Sequence, residues 1–201
     1  MTPGSCSTGI HFLLEHLELV FQVYLVNLME GDQNKPDYLA LNPKGTIPTL
    51  VTKESLVLTD FLSIAWWLGK THPKSGLLPQ DLDSELKVLS ALNYTVNTIH
   101  GQGFTRIFTG DKYSSNADEL EKIEQQGKKI VSQGFEIIGQ QLHENGYLLE
   151  QLSIADAALF YVEFWADKIE LALPEPCQRH YSKMLENTAL RRVLSEEGYR
   201  L

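Results

Sequence analysis

Residues 37–51 read DYLALNPKGTIPTLV, and this stretch decides how the first third of the chain folds. It runs into IPTLVTKESLVLTD at residues 47–60, where two short runs rich in β-formers flank the polar residues Lys53 to Ser55. Two such runs around a polar turn predict a β-hairpin. A helical apolar pattern follows over residues 60–70. The stretch therefore predicts the hairpin and one helix of a small α/β unit.

Toward the N-terminus, the sequence predicts one more helix and one more strand for this unit. Residues 2–15, TPGSCSTGIHFLLE, place Cys6 directly before a run of helical spacing. Residues 20–28, VFQVYLVNL, alternate in polarity and predict a strand. The apolar side chains on one face of that strand are Phe21, Val23 and Leu25. Residues 30–38, EGDQNKPDY, are polar and broken by Gly and Pro, which predicts a loop.

Toward the C-terminus, the pattern changes to helices only. Residues 71–80, THPKSGLLPQ, contain Pro and Gly breakers and predict a linker. Helices are predicted from about Asp83 to His100, from about Ser115 to Glu144, from Ser153, and after Pro176 and Asn187. Ser153 and Asp156 have the spacing of a capping box. We therefore predict an α/β domain over residues 1–72 and an all-helical domain over residues 80–201.

The composition argues against several classes of function. The 201 residues carry a formal net charge of -9 and give a pI of about 5.1, which argues against binding to nucleic acid or to an anionic membrane surface. No apolar run is long enough to span a bilayer. The two cysteines, Cys6 and Cys177, do not make a disulfide framework and predict a reducing, cytoplasmic compartment. The histidines show no zinc-site spacing, so no metal site is expected.

Cys6 is the first candidate for chemistry because it lies at a predicted helix start. Amides there lack intrahelical partners and, with the helix dipole, favour a negative charge, which lowers a thiol pKa. The preceding Pro-Gly turn favours an exposed position, whereas the alternative is a buried, inert cysteine. Residues 6–9, Cys-Ser-Thr-Gly, have the outline of a C-x-x-C redox motif with Gly9 in place of the second cysteine. Such a thiol could form a mixed disulfide with an external thiol or bind a thiol compound without a covalent bond.

Three stretches together resemble one protein family. They are residues 2–15, residues 37–51 followed by LVLTD at residues 56–60, and residues 152–165, LSIADAALFYVEFW. The set resembles the cytosolic glutathione S-transferases, and within them the bacterial, beta-like class that carries a cysteine at the start of the first helix. The resemblance implies a thioredoxin-like N-terminal domain, an all-helical C-terminal domain and a homodimer. It also implies that glutathione is a substrate, bound mainly on the first domain.

The resemblance assigns glutathione contacts to the first domain. Ile47–Pro48 matches the family's cis-proline, although locally Pro48 reads as an ordinary trans turn proline. The cis geometry lets the Ile47 backbone pair with the cysteinyl part of glutathione. Thr59 and Asp60 match the acidic position at a helix start, where the acid binds the γ-glutamyl ammonium; locally Asp60 reads as a helix cap. Phe61 stands where the family commonly has Ser or Gly, so only its backbone amide can receive the γ-glutamyl carboxylate.

The resemblance also assigns polar residues from residues 93–104, NYTVNTIHGQGF, to the glutathione sulfur. Asn93 and His100 match the family's polar positions, and Asn97 lies between them. Their spacing of four and three predicts one shared helix face. The family commonly has a lysine after this histidine, where this chain has Gly. The remaining basic candidate for the anionic tripeptide is Lys35, in the predicted loop.

One element of the implied fold has no counterpart in the sequence. In this fold a strand precedes the Pro-Gly turn and lies between the strand at residues 20–28 and the hairpin. Here only Met1 and Thr2 precede Pro3. We therefore expect two sheet edges that face a slot with unpaired amides and carbonyls. Either the natural chain is longer than this sequence, which we favour, or Met1 belongs to a much shortened strand.

Three functional hypotheses follow. The leading one is a glutathione transferase that conjugates glutathione to a small electrophile while Cys6 polarises the glutathione thiol. A second chemistry is glutathione-dependent reduction of a disulfide substrate, with Cys6 as the nucleophile. The alternative from another class is a glutathione-fold binding module with little catalysis, because a fold does not dictate function.

Overall fold

The computed structural model describes residues 1–200, and its first unit combines three helices with a two-stranded sheet. In chain order the elements are α1 (Ser7–His16), a 3₁₀ turn (Asp32–Asn34), α2 (Pro36–Leu41), β1 (Thr49–Val51), β2 (Val57–Thr59) and α3 (Phe61–Thr71). The predicted hairpin is confirmed: β1 and β2 are antiparallel, with Leu50 opposite Leu58. The loop predicted over residues 30–38 is partly wrong, because Pro36 begins α2, and proline is favoured at the first helical position.

The strand predicted over residues 20–28 is wrong. This segment joins no sheet within the described residues; its backbone pairs with the start of the chain and, at Asn27 and Leu28, with the turn that follows. The Met1 ammonium donates to the Tyr24 carbonyl (2.6 Å), and the Val26 amide donates to the Met1 carbonyl (2.9 Å). Alternation predicts which side chains share a face, but a strand also needs a hydrogen-bonded neighbour along its length. Several apolar side chains consequently lie in solvent, with Val20 95% exposed, whereas Val26 is buried and Phe21 is partly buried.

A cavity of about 1070 Å³ separates this segment from the hairpin. Its walls include Phe21 and Val23 of the segment, Leu50 of β1, and Ile10 and Leu14 of α1. The slot expected between these two parts of the unit is therefore present. Its lining residues do not include Cys6, Asp60 or His100, so this cavity is not the site of the expected chemistry.

The rest of the chain is helical, as predicted. The elements are α4 (Leu82–Tyr94), a π-helical segment (Thr95–Phe104), α5 (Thr105–Phe108), α6 (Ala117–Gly139), α7 (Ile154–Lys168), α8 (Glu175–Leu185) and α9 (Thr188–Glu196). Among residues 1–200, none of the helices combines the length and the apolar character that crossing a membrane requires.

Two predicted helix boundaries need correction. Asp81, and not Asp83, caps α4, because its Oδ1 accepts the Ser84 amide at 2.9 Å. Asn116 caps α6 in the same way, through the Asp118 amide at 3.0 Å, and this helix ends at Gly139. Both caps are Asp or Asn side chains within two residues of the predicted starts. The local sequence therefore predicts that these helices exist but misplaces their ends by a few residues.

The capping box predicted at Ser153 and Asp156 is confirmed, and it is buried. The Asp156 carboxylate accepts the backbone amides of Ser153 (2.7 Å) and Leu148 (2.9 Å). His180 of α8 lies 3.3 Å from the same carboxylate and 2.6 Å from Glu163. Burial opposes a charge on His180, but the two carboxylates outweigh it and raise its pKa to about 10. A buried ionic cluster thus joins the start of α7 to α8.

Helix α1 connects the two parts of the molecule. It packs against α3 of the first unit and against α7 and α9 of the helical region. Gly9 permits this close approach. A Cβ at Gly9 would lie 2.6 Å from the Ala157 carbonyl oxygen and 2.7 Å from the Phe61 ring. The helix that begins beside Cys6 is therefore positioned by the helical region as well as by its own unit.

Candidate active site

Cys6 lies at the start of α1, as the sequence predicted, but its thiol is buried. The thiol donates to the Ile47 carbonyl oxygen, with Sγ 3.5 Å from it. The expectation of an exposed loop edge is wrong, because Cys6 belongs to the apolar core together with Phe61 and Tyr161.

The lowered thiol pKa expected at a helix start is also wrong. Burial raises the pKa of Cys6 to about 12, whereas the backbone amides of Cys6 and Ser7 lower it by less. The helix-start effect is therefore present, but the cost of desolvating a thiolate outweighs it. At neutral pH the thiol keeps its proton and is a hydrogen-bond donor.

The loop that faces Cys6 has the backbone geometry implied by the resemblance, since the Ile47–Pro48 peptide bond is cis. The preceding residue, Thr46, is held by two donors to its carbonyl: the Tyr38 hydroxyl (2.6 Å) and the Asn42 side-chain amide (2.8 Å). Asn42 is fully buried. The Asn-Pro-Lys-Gly stretch therefore fixes the loop that presents the Ile47 backbone to the thiol.

The start of α3 carries the second group of predicted residues. Thr59 ends β2, Asp60 follows with φ of 72°, and Phe61 begins the helix, so the Phe61 amide is among those without an intrahelical partner. Asp60 forms an ion pair with Lys44, whose Nζ also donates to the Thr59 hydroxyl at 2.9 Å. Sequence reasoning missed Lys44, although it belongs to the Asn-Pro-Lys-Gly stretch. A carboxylate, an ammonium and free amides thus meet at one helix start, which suits a zwitterionic ligand group.

Two residues predicted to contact glutathione, Lys35 and Phe61, have side chains that lie elsewhere. The Lys35 ammonium pairs with Asp32 at 2.6 Å, and Lys35 lines the cavity that Cys6 and Asp60 do not line. The Phe61 ring is buried and packs on Tyr161 at 5.2 Å between ring centroids. Its side chain therefore fills the core, which leaves only its backbone amide available to a ligand.

The shared helix face predicted for Asn93, Asn97 and His100 is wrong in part. Asn97 donates to Asn93 at 2.6 Å, and both side chains are exposed. His100 instead lies among aromatic rings, with its Nδ1 3.1 Å from the Tyr161 hydroxyl. The reason is the π-helical segment, which contains Asn97 and His100 and turns by a smaller angle per residue than an α-helix. Burial lowers the pKa of His100 to about 4, so the imidazole is neutral at physiological pH.

Tyr161 and Trp165 of α7 complete this side of the site, and sequence reasoning gave neither a site role. Burial raises the Tyr161 pKa well above its usual value, and the nearby Cys6 adds to the effect. The Trp165 indole packs edge-on against His100 and donates to the Gly4 carbonyl at 2.6 Å. Cys6, Tyr161 and His100 therefore lie close together. The Trp165 indole packs on Tyr161 and His100 and also binds the Pro-Gly turn through its hydrogen bond to Gly4.

A carboxylate from the end of the chain holds the same turn. Glu197 has a side chain that is 2% exposed, and it accepts the Gly4 amide (2.8 Å) and the Thr8 hydroxyl (2.7 Å). Its other oxygen lies 2.9 Å from Nδ1 of His11. These residues flank Cys6 on both sides, so the geometry of the turn depends on the residues after α9.

Comparison with known proteins identifies the family. Residues 4–71 match the family model described as Glutathione S-transferase, N-terminal domain. Over 98% of its length the chain is 32% identical to the glutathione S-transferase GstA of Escherichia coli O157:H7, and it covers 96% of that protein. The chain belongs to the glutathione S-transferase family. The cysteine at the start of α1 is consistent with the bacterial, beta-like class of these transferases.

Solved structures agree with this transferase in fold. A glutathione transferase homologue from Sulfitobacter with bound glutathione has a TM-score of 0.88 and 25% identity, covering 98% of this chain and 95% of that chain. A beta class glutathione S-transferase of Sphingomonas chungbukensis has a TM-score of 0.81 and 21% identity, covering 98% and 97%. The thioredoxin-like region followed by a helical region, expected from the sequence, is therefore the fold of this transferase.

Proposed function

We propose that this transferase binds glutathione beside Cys6 and conjugates it to a small electrophile. The glutathione thiol gives its proton to water, its sulfur bonds to the electrophilic carbon, and the leaving group departs with its electron pair. The observation that carries the role of Cys6 is the burial of its thiol, which keeps the proton on Sγ at neutral pH. A hydrogen bond donated by that thiol stabilises the glutathione thiolate and lowers its pKa.

The tripeptide is held mainly by the backbone. The Ile47 amide and carbonyl pair with its cysteinyl part, and the leading amides of α3, from Phe61 onward, receive the γ-glutamyl carboxylate. Asp60 binds the γ-glutamyl ammonium, and Lys44, which pairs with Asp60, supplies positive charge for the γ-glutamyl carboxylate. Support comes from the cis bond at Ile47–Pro48 and from the bound glutathione in the Sulfitobacter homologue.

His100 contributes polarity and no charge. Because burial lowers its pKa to about 4, it is neutral when the transferase works, and its hydrogen bond to Tyr161 is one between neutral groups. Asn93 and Asn97 lie on the exposed surface and are proposed only as outer contacts of the glutathione site. Lys35 is retained as a more distant positive charge.

Disulfide reduction is the second proposed chemistry, with Cys6 as the attacking thiolate and a small disulfide as the substrate. The burial of Cys6 disfavours it, because a thiol with a raised pKa is little ionised near neutral pH. A binding module with little catalysis is the remaining alternative, and the assays below separate all three.

Several further assignments belong to the same proposal. We infer a homodimer that works in the cytoplasm in detoxification, with a glutathione-binding domain over residues 1–72 and a helical domain over residues 80–201. Both cysteines are free thiols in the structure, which supports a reducing compartment.

The test compares three forms of the protein: wild type, Cys6→Ser and Cys6→Ala. Conjugation to 1-chloro-2,4-dinitrobenzene and reduction of a glutathione mixed disulfide are measured side by side, with glutathione affinity from calorimetry. A donor role predicts that Ser, which keeps an O–H, retains more conjugation than Ala. For Ala we expect a loss of about a hundredfold, as for removal of one preorganised donor. Cys177→Ala, a buried thiol bonded to the Phe135 carbonyl, is the matched control.

The pH profile separates the mechanisms. If Cys6 donates to the glutathione sulfur, the apparent pKa of conjugation rises in Cys6→Ala and is partly restored in Cys6→Ser. If Cys6 is the nucleophile, disulfide reduction is the main activity and both variants abolish it. Glutathione binding in the wild type without either activity would indicate the binding module.

A further inference from the structure

A group of metal-ligating side chains lies where α1 meets α9, outside the glutathione site. His11 and Glu15 are four residues apart on α1 and so share one helix face, and Glu196 ends α9. One potential ligand atom from each of the three lies within 4.8 Å of the others. The group therefore brings one imidazole and two carboxylates together from distant parts of the chain.

His11 is presented in the way that metal-ligating histidines are. Its side chain is 7% exposed, and Nδ1 lies 2.9 Å from an oxygen of the buried Glu197. A carboxylate can only accept, so Nδ1 donates to Glu197 and Nε2 is the ring nitrogen left for a metal ion. A histidine whose second nitrogen donates to a carboxylate has its ring orientation and tautomer fixed for metal binding.

The Nε2 atom is the side of the imidazole that faces the two carboxylates. Within residues 1–200 it makes no hydrogen bond, and Oε2 of Glu196 lies 3.5 Å from it. A metal ion that lies between an imidazole nitrogen and a carboxylate oxygen is bound by both. The imidazole therefore points its remaining nitrogen at a place that suits a cation.

We propose that His11, Glu15 and Glu196 bind one divalent transition-metal ion of the zinc class. One imidazole nitrogen and two carboxylate oxygens form a ligand set that zinc accepts, and two carboxylates neutralise its charge. The Glu196 side chain is 51% exposed, so it is free to move toward the ion, and water completes the coordination. The ion joins α9 to the helix that begins at Cys6, and the conjugation proposed above does not use it.

Arg192 is the natural competitor of this ion. Its guanidinium lies 3.2 Å from Oε2 of Glu15, and its side chain is 68% exposed. The metal and Arg192 compete for the same carboxylate, and removing Arg192 strengthens metal binding. Adventitious binding of zinc at other carboxylates or histidines does not depend on this residue.

The experiment titrates chelator-treated protein with Zn²⁺ by calorimetry and follows the unfolding temperature. A Cys6→Ala background is used, because a thiolate also binds zinc. We expect one equivalent to bind with a rise in unfolding temperature, and Glu196→Gln and His11→Gln to weaken binding at least about tenfold. Arg192→Ala strengthens it, and Glu186→Gln, a carboxylate that is 71% exposed on another part of the surface, leaves it unchanged.

Co²⁺ provides an independent readout, because its visible absorption reports nitrogen and oxygen coordination. Loss of the cobalt spectrum in Glu196→Gln supports the site even if His11→Gln fails to fold, since Glu196 is a surface residue. The proposal is overturned if no stoichiometric binding occurs, or if Glu196→Gln and Arg192→Ala bind Zn²⁺ as the wild type does. Neither result bears on the glutathione chemistry, which is assayed separately.

Discussion

The two halves of the transferase differ in how completely their polar groups are hydrogen-bonded inside the protein. In the helical half, Asp156 is fully buried and its two oxygens take up amides of Ser153 and Leu148 beside His180. In the first half, residues 20–28 have no neighbouring strand within the described residues, pair with the chain start and the following turn, and leave Val20 and Leu25 in solvent. The difference indicates that the helical half has the more completely satisfied interior, while the first half supplies the loops that we propose bind glutathione.

The strongest test of this comparison is the removal of the buried carboxylate. Asp156→Ala should lower the free energy of unfolding by about 3–5 kcal/mol, because His180 and two amides lose a buried acceptor. Urea denaturation followed by circular dichroism measures it. Asp83→Ala, at an exposed carboxylate near the start of α4, is the matched control and should stay within about 0.5 kcal/mol. Equal effects of the two changes would mean that the cluster contributes no special stability.

The next test concerns the reactivity of Cys6, where the two halves meet. Iodoacetamide should alkylate it about a thousandfold more slowly than free cysteine near neutral pH, because the thiolate fraction falls tenfold for each unit of raised pKa. The rate should still be rising at pH 10, since burial raises the pKa of Cys6 to about 12. Mass spectrometry assigns the label between Cys6 and Cys177. Alkylation with the pH dependence of free cysteine would show that the thiol is not desolvated.

A smaller effect is expected where α1 contacts the helical half. Gly9→Ala should destabilise the protein by about 1–3 kcal/mol, because the added methyl group meets the Ala157 carbonyl, which cannot move independently. Thermal unfolding measures the change. Gly139→Ala, at a position in α6 where a Cβ would make only ordinary contacts at 3.5 Å, is the opposite case. It should stabilise by up to about 1 kcal/mol, as alanine does in a helix.

The smallest expected effect is on glutathione affinity. Asp60→Asn should raise the KM for glutathione about tenfold with little change in kcat, because a charge-assisted contact to the ammonium is weakened in both ground and transition state. Initial rates at varied glutathione measure this. Asp37→Asn, at an exposed carboxylate of α2, serves as the control. An unchanged KM in Asp60→Asn would remove Asp60 from the proposed site.

Local chemistry was enough to predict part of the fold and the site. The hairpin, the capping box at Ser153 and the start of α1 after Cys6 are all signalled by residues within a few positions of each other. The resemblance to the transferases added the cis bond at Ile47–Pro48, which local sequence alone did not favour. The domain limits and the site roles of Ile47, Asp60 and Phe61 stay predictions.

The errors arose where distant parts of the chain decide the outcome. The alternation of residues 20–28 could not reveal that, within residues 1–200, no neighbouring strand lies beside them. The charge state of Cys6 depends on burial by residues far along the chain, which outweighs the nearby amides. His100 turned away from Asn97 because the segment is π-helical, and no pattern in the sequence indicated this. Of the residues that were missed, Lys44 could have been predicted, because it lies in the Asn-Pro-Lys-Gly stretch on which the family resemblance rests.

The hydrogen bonds that Glu197 accepts from Gly4 and Thr8 join residues that are 193 and 189 positions apart in the sequence. Contacts of such long sequence separation close a large loop, so we expect them to form later in folding than the hairpin and the helical turns, which join near neighbours. The geometry of the turn before Cys6 is therefore fixed by contacts that form late, after the helices that carry them.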